Sequence, residues 1–326
     1  MRGRRLLPEP GRPASARTAL VRRVPARRLP RPRRLIHLLV LALLATLGSI
    51  VVAPAAAQAS STFKILQLNL CNSGYASCYT AGNSIREAQS LIDALRPDAV
   101  FLNEICRSDL TALADNGYYR YPTRHFAPVW NSSTQSNYQC KDGRGDYGNG
   151  ILVSASQLGA EERNRYTYQS ATSEHRVYGC ARFYGFVGCT THLTTTKSIA
   201  MNQCNELTRT RMPAFVTAIG EPTVPTIMSG DLNLVYNTWD TYNVQKCVPS
   251  GHTRKGDGGV QHITVTNSIT FNSVKVYGLT YTDHDGLLAT TTVPWNAPTA
   301  AHHSRAKAAR TKLDQQRWTV RTLIDS

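Results

Sequence analysis

The spacing of hydrophobic positions predicts a β-α-β opening for the part of the chain that follows an apolar leader. Residues 63–70 (FKILQLNL) alternate between apolar and polar side chains, as a half-buried strand does. Residues 83–95 carry apolar side chains at helical spacing, and residues 97–105 are again strand-like. The opening is therefore expected to place two strands side by side with a helix packed across them.

The rest of the chain is mostly strand-like. Residues 117–127 predict an edge strand and residues 150–154 a short buried strand, with a polar loop between them at 130–147. Further strands are predicted at residues 176–183, 186–192, 225–229, 261–265, 274–279 and 287–293, and a long helix at 198–219. Because several strands follow one another without a helix between them, the pattern favours an α+β fold with mixed sheets over a doubly wound parallel sheet.

Residues 1–59 have the pattern of an export signal. Twelve arginines and one glutamate occupy residues 2–34, an apolar run follows at 35–52, and small residues continue to Ala59. Cleavage after Ala57 or Ala59 is expected; the alternative is a signal anchor, because the apolar run is nearly long enough to span a bilayer. On either interpretation the chain is exported, with a folded domain at 60–293 and a basic tail at 294–326.

The net charge of +16 lies mostly outside the predicted domain. Without the leader, 25 basic residues face 20 acidic ones, and residues 60–293 keep 19 against 18. A strongly basic domain indicates a nucleic-acid-binding protein. A domain this close to neutral can bind nucleic acid only through a local basic groove.

All eight cysteines lie beyond the leader, and an even number in an exported chain favours disulfides over metal-binding or catalytic thiols. A hairpin that turns at Tyr184 and Gly185 places Cys180 directly opposite Cys189, so this bridge has a geometric basis. The remaining pairs, Cys71–Cys78, Cys106–Cys140 and Cys204–Cys247, are conjectures without such support.

The tail at 294–326 lacks a strand pattern and carries six basic and two acidic residues. An amphipathic helix at 306–324 is one interpretation, and a solvated terminus is the favoured one. A basic arm that recruits nucleic acid or anionic lipid is a third.

Polar residues of catalytic type occur at the ends of five predicted buried strands. They are Asn69, Glu104, His192, the pair Asp231 and Asn233, and the pair Asp283 and His284. Each one alone is more simply a capping or hydrogen-bonded structural group. Five such coincidences in order indicate a catalytic site.

With their neighbours, these residues resemble the DNase I-like endonuclease/exonuclease/phosphatase superfamily. The matching segments are QLN at 67–69, LNE at 102–104, DYGNGIL at 146–152, TTHL at 190–193, SGDLN at 229–233 and TDHD at 282–285. The resemblance covers residues 63–293. It implies a four-layer α/β/β/α sandwich, two mostly antiparallel mixed sheets flanked by helices, with the active site in a cleft at the strand ends.

The resemblance also implies a metal site. Asn69, Glu104 and Asp283 are expected to hold Mg²⁺, with Ca²⁺ or Mn²⁺ as alternatives, while Asp231 and Asn233 contact metal, water or phosphate. Phosphodiester cleavage needs an activated water and neutralised phosphate charge, which a dication held by oxygen ligands supplies.

The resemblance assigns proton transfer to two histidines. His284 is expected to be the general base and His192 the acid or phosphate stabiliser, because imidazole titrates near neutral pH. Tyr147 matches a tyrosine that contacts the phosphate, although a tyrosine in a Gly-rich loop is as often a packing residue. The remaining histidines of the domain, His125, His175, His252 and His262, have no such context and are expected to be structural or surface groups.

Three positions depart from the family pattern. Cys71 stands where some members have a second acidic metal ligand, and Cys106 stands where pancreatic-type DNase I has an arginine, with Arg107 adjacent. Gln261 stands where the family has the aspartate that orients the base. Because glutamine accepts a hydrogen bond but carries no charge, His284 is expected to be a weaker base unless Asp257 or Asp240 takes that role.

Three functions remain open. An exported nuclease is favoured, and nucleic acid is the expected substrate. A phospholipase C-type sphingomyelinase needs an exposed apolar or aromatic hairpin to engage membrane lipid, and neither residues 122–130 nor the tail clearly supplies one. The third hypothesis is a catalytically weakened binding or toxin-like module, because Gln261 and Cys71 depart from the family pattern. No protein partner is implied.

Overall fold

The computed structural model of the protein describes residues 60–115, 121 and 123–297, and the backbone of residues 320–323. The predicted leader, its cleavage sites and most of the predicted tail lie outside the described residues. In chain order the strands are β1 (Ser61–Asn69), β2 (Ala99–Cys106), β3 (Thr123–Pro128), β4 (Trp130–Asn131), β5 (Ser136–Asn137), β6 (Tyr147–Val153), β7 (Gln157–Arg165), β8 (Glu174–His175), β9 (Val177–Phe183), β10 (Phe186–His192), β11 (Thr226–Asp231), β12 (His252–Gly256), β13 (Gln261–Thr266), β14 (Thr270–Tyr277), β15 (Gly286–Val293) and β16 (Val320–Leu323).

Four helices accompany these strands in the described part of the chain. They are α1 (Asn83–Leu95), α2 (Arg107–Ala114), α3 (Lys197–Glu206) and α4 (Met212–Ala218). A single π-helical turn at Leu207–Arg211 joins α3 to α4, so the long helix predicted at 198–219 is present with one widened turn. None of the described helices is both long and apolar enough to span a bilayer.

Two large sheets pack face to face. The first has the order β16-β14-β15-β1-β2-β6-β3 and the second the order β12-β13-β11-β10-β9-β7, while β5, β4 and β8 form a small third sheet. In each large sheet one described pair is parallel, β1 with β2 and β10 with β11, and the other pairs are antiparallel.

The alternation along β1 shows how the layers form. Phe63 and Ile65 face the second sheet and pack with residues such as Phe186 and Ile227. Leu66 and the apolar residues at every second position after it face α1 and α2 on the outside. A separate cluster packs α3 and α4 on the outer face of the second sheet. The predicted four-layer α/β/β/α sandwich is confirmed.

The layer between the sheets becomes polar at the carboxyl ends of the parallel strands. The buried amide of Asn103 accepts hydrogen bonds from Gln67 Nε2 (2.8 Å) and Asp231 N (2.7 Å). It donates to Asn149 Oδ1 (3.0 Å) and to the carbonyl of Thr191 (2.9 Å). All four hydrogen-bonding positions of this amide are therefore used, and they tie the two sheets together beneath the strand ends.

Four disulfides link the eight cysteines in the pairs expected from the sequence. Cys180 and Cys189 are direct partners in the β9–β10 register, as the hairpin geometry requires. The conjectured pairs Cys71–Cys78, Cys106–Cys140 and Cys204–Cys247 are also present.

Edge strands account for most differences from the predicted elements. β7 and β12, at the two edges of the second sheet, were not predicted because their sequences QLGAEERNR and HTRKG are mostly polar. A polar edge strand has no apolar alternation to detect, and charge at an edge opposes pairing with another chain. The predicted polar loop at 130–147 contains the short strands β4 and β5.

The chain beyond residue 293 contributes to the fold. Trp295 packs against Phe63 and Phe186, with ring centroids 5.7 and 5.6 Å away. Residues 320–323 form β16, which pairs antiparallel with β14. The helix considered at 306–324 and the solvated terminus are therefore both wrong at residues 320–323, because an unpaired edge of the first sheet was available to them.

Candidate active site

The polar strand-end residues converge on Asp231, whose side chain is 1% exposed. The Nδ2 of Asn69 lies 3.1 Å from Asp231 Oδ2 and 3.1 Å from Glu104 Oε1. The convergence follows from topology, because the parallel pairs β1–β2 and β10–β11 end at one place, with Asn69 opposite Asn103 and His192 opposite Asp231. Gly230 permits this close approach, since a Cβ there would lie 1.9 Å from the carbonyl oxygen of Thr191.

Glu104 reaches the site through an irregular backbone. The register of β2 against β6 shifts between Leu102 and Ile105, and Glu104 has a left-handed φ of 54°. Such a bulge redirects a side chain. The Glu104 carboxylate consequently lies beside Asn69 and within 3.7 Å of His192 Nδ1.

Arg176 fixes the protonation pattern of His192. Its Nη1 donates to His192 Nδ1 at 2.9 Å, and the same guanidinium forms an ion pair with Glu174 at 3.0 Å. Because Nδ1 accepts this bond, the remaining imidazole proton belongs on Nε2. Burial, and then the charges of Arg176 and His284, lower the pKa of His192 well below its ordinary value, so the ring is neutral with Nε2–H facing the site.

Asn233 lies between Asp231 and His192 and contacts both. It has a φ of 50°, and its backbone N–H donates to Asp231 Oδ1 at 3.0 Å. Its Nδ2 donates to the carbonyl of Leu193 (2.8 Å) and lies 3.2 Å from His192 Nε2. The Asn233 amide is therefore held beside His192, the histidine of the TTHL segment.

His284 faces two carboxylates. Its Nε2 lies 3.4 Å from Asp231 Oδ2 and 3.7 Å from Asp283 Oδ1, and Asp283 itself is mostly exposed. Gln261, expected beside this histidine, instead accepts from Gln67 Nε2 at 2.9 Å. The charged support for His284 thus comes from Asp231 and Asp283.

The two aspartates considered as substitutes have other described partners. Asp240 forms an ion pair with Lys197 at 2.8 Å. Asp257 accepts from the backbone N–H groups of Gly259 (2.7 Å) and Gln261 (3.2 Å), which holds the turn before β13.

Tyr147 is both a packing residue and a neighbour of Glu104. It is buried in a cluster with the Cys106–Cys140 bridge and with Tyr138. Burial, and then the negative charge of Glu104, raise the pKa of Tyr147 well above its ordinary value, so the hydroxyl stays protonated.

The donor set suits a hard divalent cation. Burial raises the pKa of Glu104 and of Asp231, and the charge of Asp231 raises the pKa of Glu104 further. The Asn69 amide, whose Nδ2 lies between the two carboxylates, opposes both shifts. Positive charge is thus favoured at the position that Asn69 Nδ2 now fills. Carboxylate and amide oxygens are the ligands that Mg²⁺ and Ca²⁺ take, so Glu104 and Asp231 fit such an ion, with Asp283 nearby. Asn69 fits it with its amide turned over, because Nδ2 and not Oδ1 faces the two carboxylates here.

The sulfurs beside Asp283 do not form a second metal site. Cys71, Cys78 and Asp283 have potential metal-ligand atoms within 4.8 Å of one another. Among the described residues, no other group of three His, Cys, Asp or Glu side chains is this close together. Both sulfurs are joined in a disulfide and offer no thiolate. The Cys71 backbone N–H instead donates to Asn69 Oδ1 at 3.2 Å, which helps to orient Asn69.

Sequence reasoning missed Arg176 and the role of Asn103. Arg176 directly precedes a strand whose side chains are mostly buried, and this position is the signal that distinguishes it from a surface arginine. Asn103 lies within the LNE motif, but its four partners come from both sheets and leave no local pattern. The four histidines expected to be structural include His125 and His262, which are buried and pair with Glu161 and Arg254.

Two solved structures have similar folds. Endonuclease/exonuclease/phosphatase from Beutenbergia cavernae DSM 12333 superposes with a TM-score of 0.53 and 16% identity, over 73% of each chain. An endonuclease/exonuclease/phosphatase family protein from Bacteroides thetaiotaomicron gives a TM-score of 0.52 and 10% identity, over 72% of this chain and 96% of that one. At these identities the likeness concerns the fold alone. The sequence matches none of the curated proteins compared with it.

The sequence match extends over most of the domain. Residues 66–316 match the Endonuclease/Exonuclease/phosphatase family, whose members hydrolyse phosphoester bonds. The matched region contains all the strand-end residues described above. With the fold, the converging strand ends and this match in agreement, the chain belongs to the Endonuclease/Exonuclease/phosphatase family.

Proposed function

We propose that the protein is an exported, metal-dependent phosphodiesterase of the nuclease type. The observation that carries the proposal is the position of Asp231, which lies 3.4 Å from His284 Nε2 and 3.9 Å from His192 Nε2. One imidazole beside this buried carboxylate can accept a proton, and the other can donate a hydrogen bond from Nε2–H to the same phosphate. The four disulfides are consistent with an oxidising, extracellular location.

In the proposed reaction, His284 takes a proton from the attacking water, and Asp231 and Asp283 stabilise the imidazolium that forms. His192 is neutral and is held in its Nε2–H tautomer by Arg176, so it donates a hydrogen bond to a phosphate oxygen and keeps its proton. The leaving oxygen takes its proton from solvent. Asn233 donates beside it without adding negative charge. Asn69 and Glu104, with Asp283 or Asp231 as a further ligand, would hold a divalent cation, which would supply the charge that neutralises the phosphate oxygens.

The test is an assay of the purified protein with Mg²⁺ or Ca²⁺ against plasmid DNA, RNA, sphingomyelin and a chromogenic phosphodiester. We expect the protein to hydrolyse a nucleic acid and the chromogenic diester, and we expect chelation of the metal to stop both reactions. Hydrolysis that persists after chelation would show that the metal-dependent mechanism is wrong.

A membrane-lipid substrate is the second candidate, and one observation favours it. Trp239, on the loop that follows Asn233, is 95% exposed. Tryptophan prefers the interface between a bilayer and water. The Lys197–Asp240 ion pair holds this loop against the start of α3. The loop therefore offers the exposed aromatic residue that the sequence did not reveal.

Trp239→Ala tests this candidate, and Tyr184→Ala is its control because Tyr184 is exposed on the β9–β10 turn, at the other end of the strand that carries His192. For a lipid substrate, Trp239→Ala lowers hydrolysis of sphingomyelin vesicles but not of a soluble diester. Equal vesicle hydrolysis by both variants would rule out docking through Trp239.

A further inference from the structure

A cleft of about 410 Å³ is lined by three arginines and two asparagines, together with Trp130, Pro128 and Val177. Its polar lining includes Arg107, Arg163, Arg165, Asn137 and Asn164, and it contains no acidic residue. Arg163 and Arg165 project from one face of β7, being two positions apart on a strand. The near-neutral domain thus has the local basic groove that binding of nucleic acid requires.

The arginines of the cleft are held with their guanidinium groups against flat surfaces. Arg165 lies over the ring of Trp130, 4.9 Å from its centroid, and Arg107 lies over Phe126 at 4.5 Å. Arg163 Nη1 donates to the carbonyl of Phe126 at 3.2 Å. Guanidinium groups ordered in this way lose less entropy when they bind an anion.

One charge in the cleft has no counter-ion. Arg107 pairs with Asp146 at 3.0 Å and Arg163 with Glu161 at 3.4 Å. Among the described residues, no carboxylate lies within ion-pair distance of Arg165. The cleft therefore carries net positive charge at Arg165, beside the indole of Trp130.

Two residues that line the cleft lie close to residues of the candidate site along the chain. Val177, in its wall, directly follows Arg176, the partner of His192. Arg107 is three residues beyond Glu104, and three residues span at most about 11 Å. A molecule whose phosphate lies at the candidate site can therefore place its neighbouring group in the cleft.

We propose that this arginine cleft (Arg107, Arg163, Arg165 and Trp130) binds the segment of a single-stranded nucleic acid adjacent to the phosphodiester that is cleaved. The inference rests on the proposed phosphodiesterase function. The arginine cleft provides a cationic position in addition to the candidate site. Two such positions match a polymer that carries successive phosphates, whereas a lipid or sugar phosphate carries a single phosphate. The stacked Arg165 and Trp130 offer a flat face to an unpaired base, which a duplex does not present.

Binding of a labelled single-stranded oligonucleotide to the full chain, in EDTA to prevent hydrolysis, tests the proposal across a series of salt concentrations. For single strands, each phosphate contact contributes about 0.7 to the slope of log K against log salt. Arg165→Ala is expected to lower the slope magnitude by about that amount and the affinity about tenfold. Arg163→Ala is expected to lower the slope similarly. Arg124→Ala, an exposed arginine paired with Asp115, is the control and leaves both unchanged.

Arg165→Lys separates charge from stacking. Lysine keeps the phosphate contact but has no planar face, so the salt slope is expected to persist while the affinity falls. In hydrolysis assays, the ratio of kcat/KM for the oligonucleotide to kcat/KM for a chromogenic diester is expected to fall about tenfold in Arg165→Ala, in line with the loss of one stacked base.

The results distinguish this inference from the proposed function. If the protein hydrolyses the chromogenic diester but Arg163→Ala and Arg165→Ala bind the oligonucleotide as wild type does, the cleft assignment is wrong and the phosphodiesterase stands. If the strand binds through these arginines but nothing is hydrolysed, the cleft stands and the proposed function is wrong. Equal affinity for a mononucleotide and for the oligonucleotide also overturns the inference.

Discussion

His284 Nε2 faces Asp231 Oδ2 across 3.4 Å, and the Asp231 side chain is almost fully buried. Burial raises the pKa of Asp231, while the neighbouring His284 lowers it. The carboxylate is thus placed to stabilise positive charge on the imidazole, which is the assistance a general base needs.

His284→Ala removes the proposed base. We expect kcat for a chromogenic phosphodiester to fall by roughly 10² to 10⁴, because general base catalysis contributes about that factor. His252→Ala is the matched control, since His252 bonds Thr226 at the opposite end of β11 from Asp231. A loss of activity no greater than in the control would remove His284 from the mechanism.

Binding of Mg²⁺ is expected to raise the melting temperature. A ligand that binds only the folded state adds about 2.7 kcal/mol at a concentration a hundredfold above its Kd, which for a domain of this size is about 5 °C or more in Tm. Differential scanning fluorimetry with Mg²⁺, and with NaCl at equal ionic strength, measures this shift.

Glu104→Gln is expected to reduce the Mg²⁺-dependent shift, because it removes one carboxylate from the proposed ligand set. Asp115→Asn, which changes an exposed carboxylate, keeps the shift. An undiminished shift in Glu104→Gln would place the cation elsewhere.

Asn103→Ala is expected to lower the free energy of unfolding by about 3 kcal/mol, because it leaves buried donors and acceptors of both sheets without partners. Urea denaturation followed by tryptophan fluorescence measures the change. The control is Asn272→Ala. The exposed Asn272 side chain bonds Thr292 on neighbouring β15, and its removal is expected to lower the free energy of unfolding by about 0.5 kcal/mol at most. If the two variants are equally stable, the buried amide network does not hold the sheets together.

Asp98 is expected to make the stability depend on pH. Burial raises the pKa of Asp98 from 3.8 to about 6, although the Lys64 backbone N–H and ammonium oppose the shift. A carboxyl group with a higher pKa in the folded state binds more protons there, so its stabilising contribution is present below the unfolded pKa and is lost as the pH rises through the folded pKa. Two pKa units correspond to roughly 3 kcal/mol.

Asp98→Asn removes this dependence, and the amide oxygen can still accept from Lys64 N. The variant is therefore expected to gain stability relative to wild type between about pH 4 and pH 7, by up to about 3 kcal/mol in urea denaturation. Asp115→Asn serves as the exposed comparison. Parallel stability profiles for wild type and Asp98→Asn would contradict the expected titration.

The sequence predicted the fold and the candidate site residues because both depend on the same pattern. An apolar strand with Asn69, Glu104 or Asp231 at or near its carboxyl end identifies both the buried element and the polar group that it positions. Parallel pairing of β1 with β2 and of β10 with β11 then brings those ends together. The assignment of roles to these residues remains a prediction.

Other features depend on contacts between distant segments and leave no local pattern. Gln261 was expected beside His284, but the packing of the sheets gives its oxygen to Gln67. Arg176 acts through a histidine on the neighbouring strand, and its charge alone does not distinguish it from a surface arginine. The four residues of β16 are too few to show an alternation, so the strand is defined by the β14 edge that it pairs with.

The left-handed backbone of Glu104 implies a trade-off between activity and stability. A residue with a side chain pays about 1–3 kcal/mol to hold such a conformation, and glycine adopts it freely. Glu104→Gly is thus expected to yield a protein that resists denaturation at least as well as wild type, yet has lost a carboxylate from the candidate site. Selection for thermal stability alone would therefore favour a variant of this protein that is more stable but inactive.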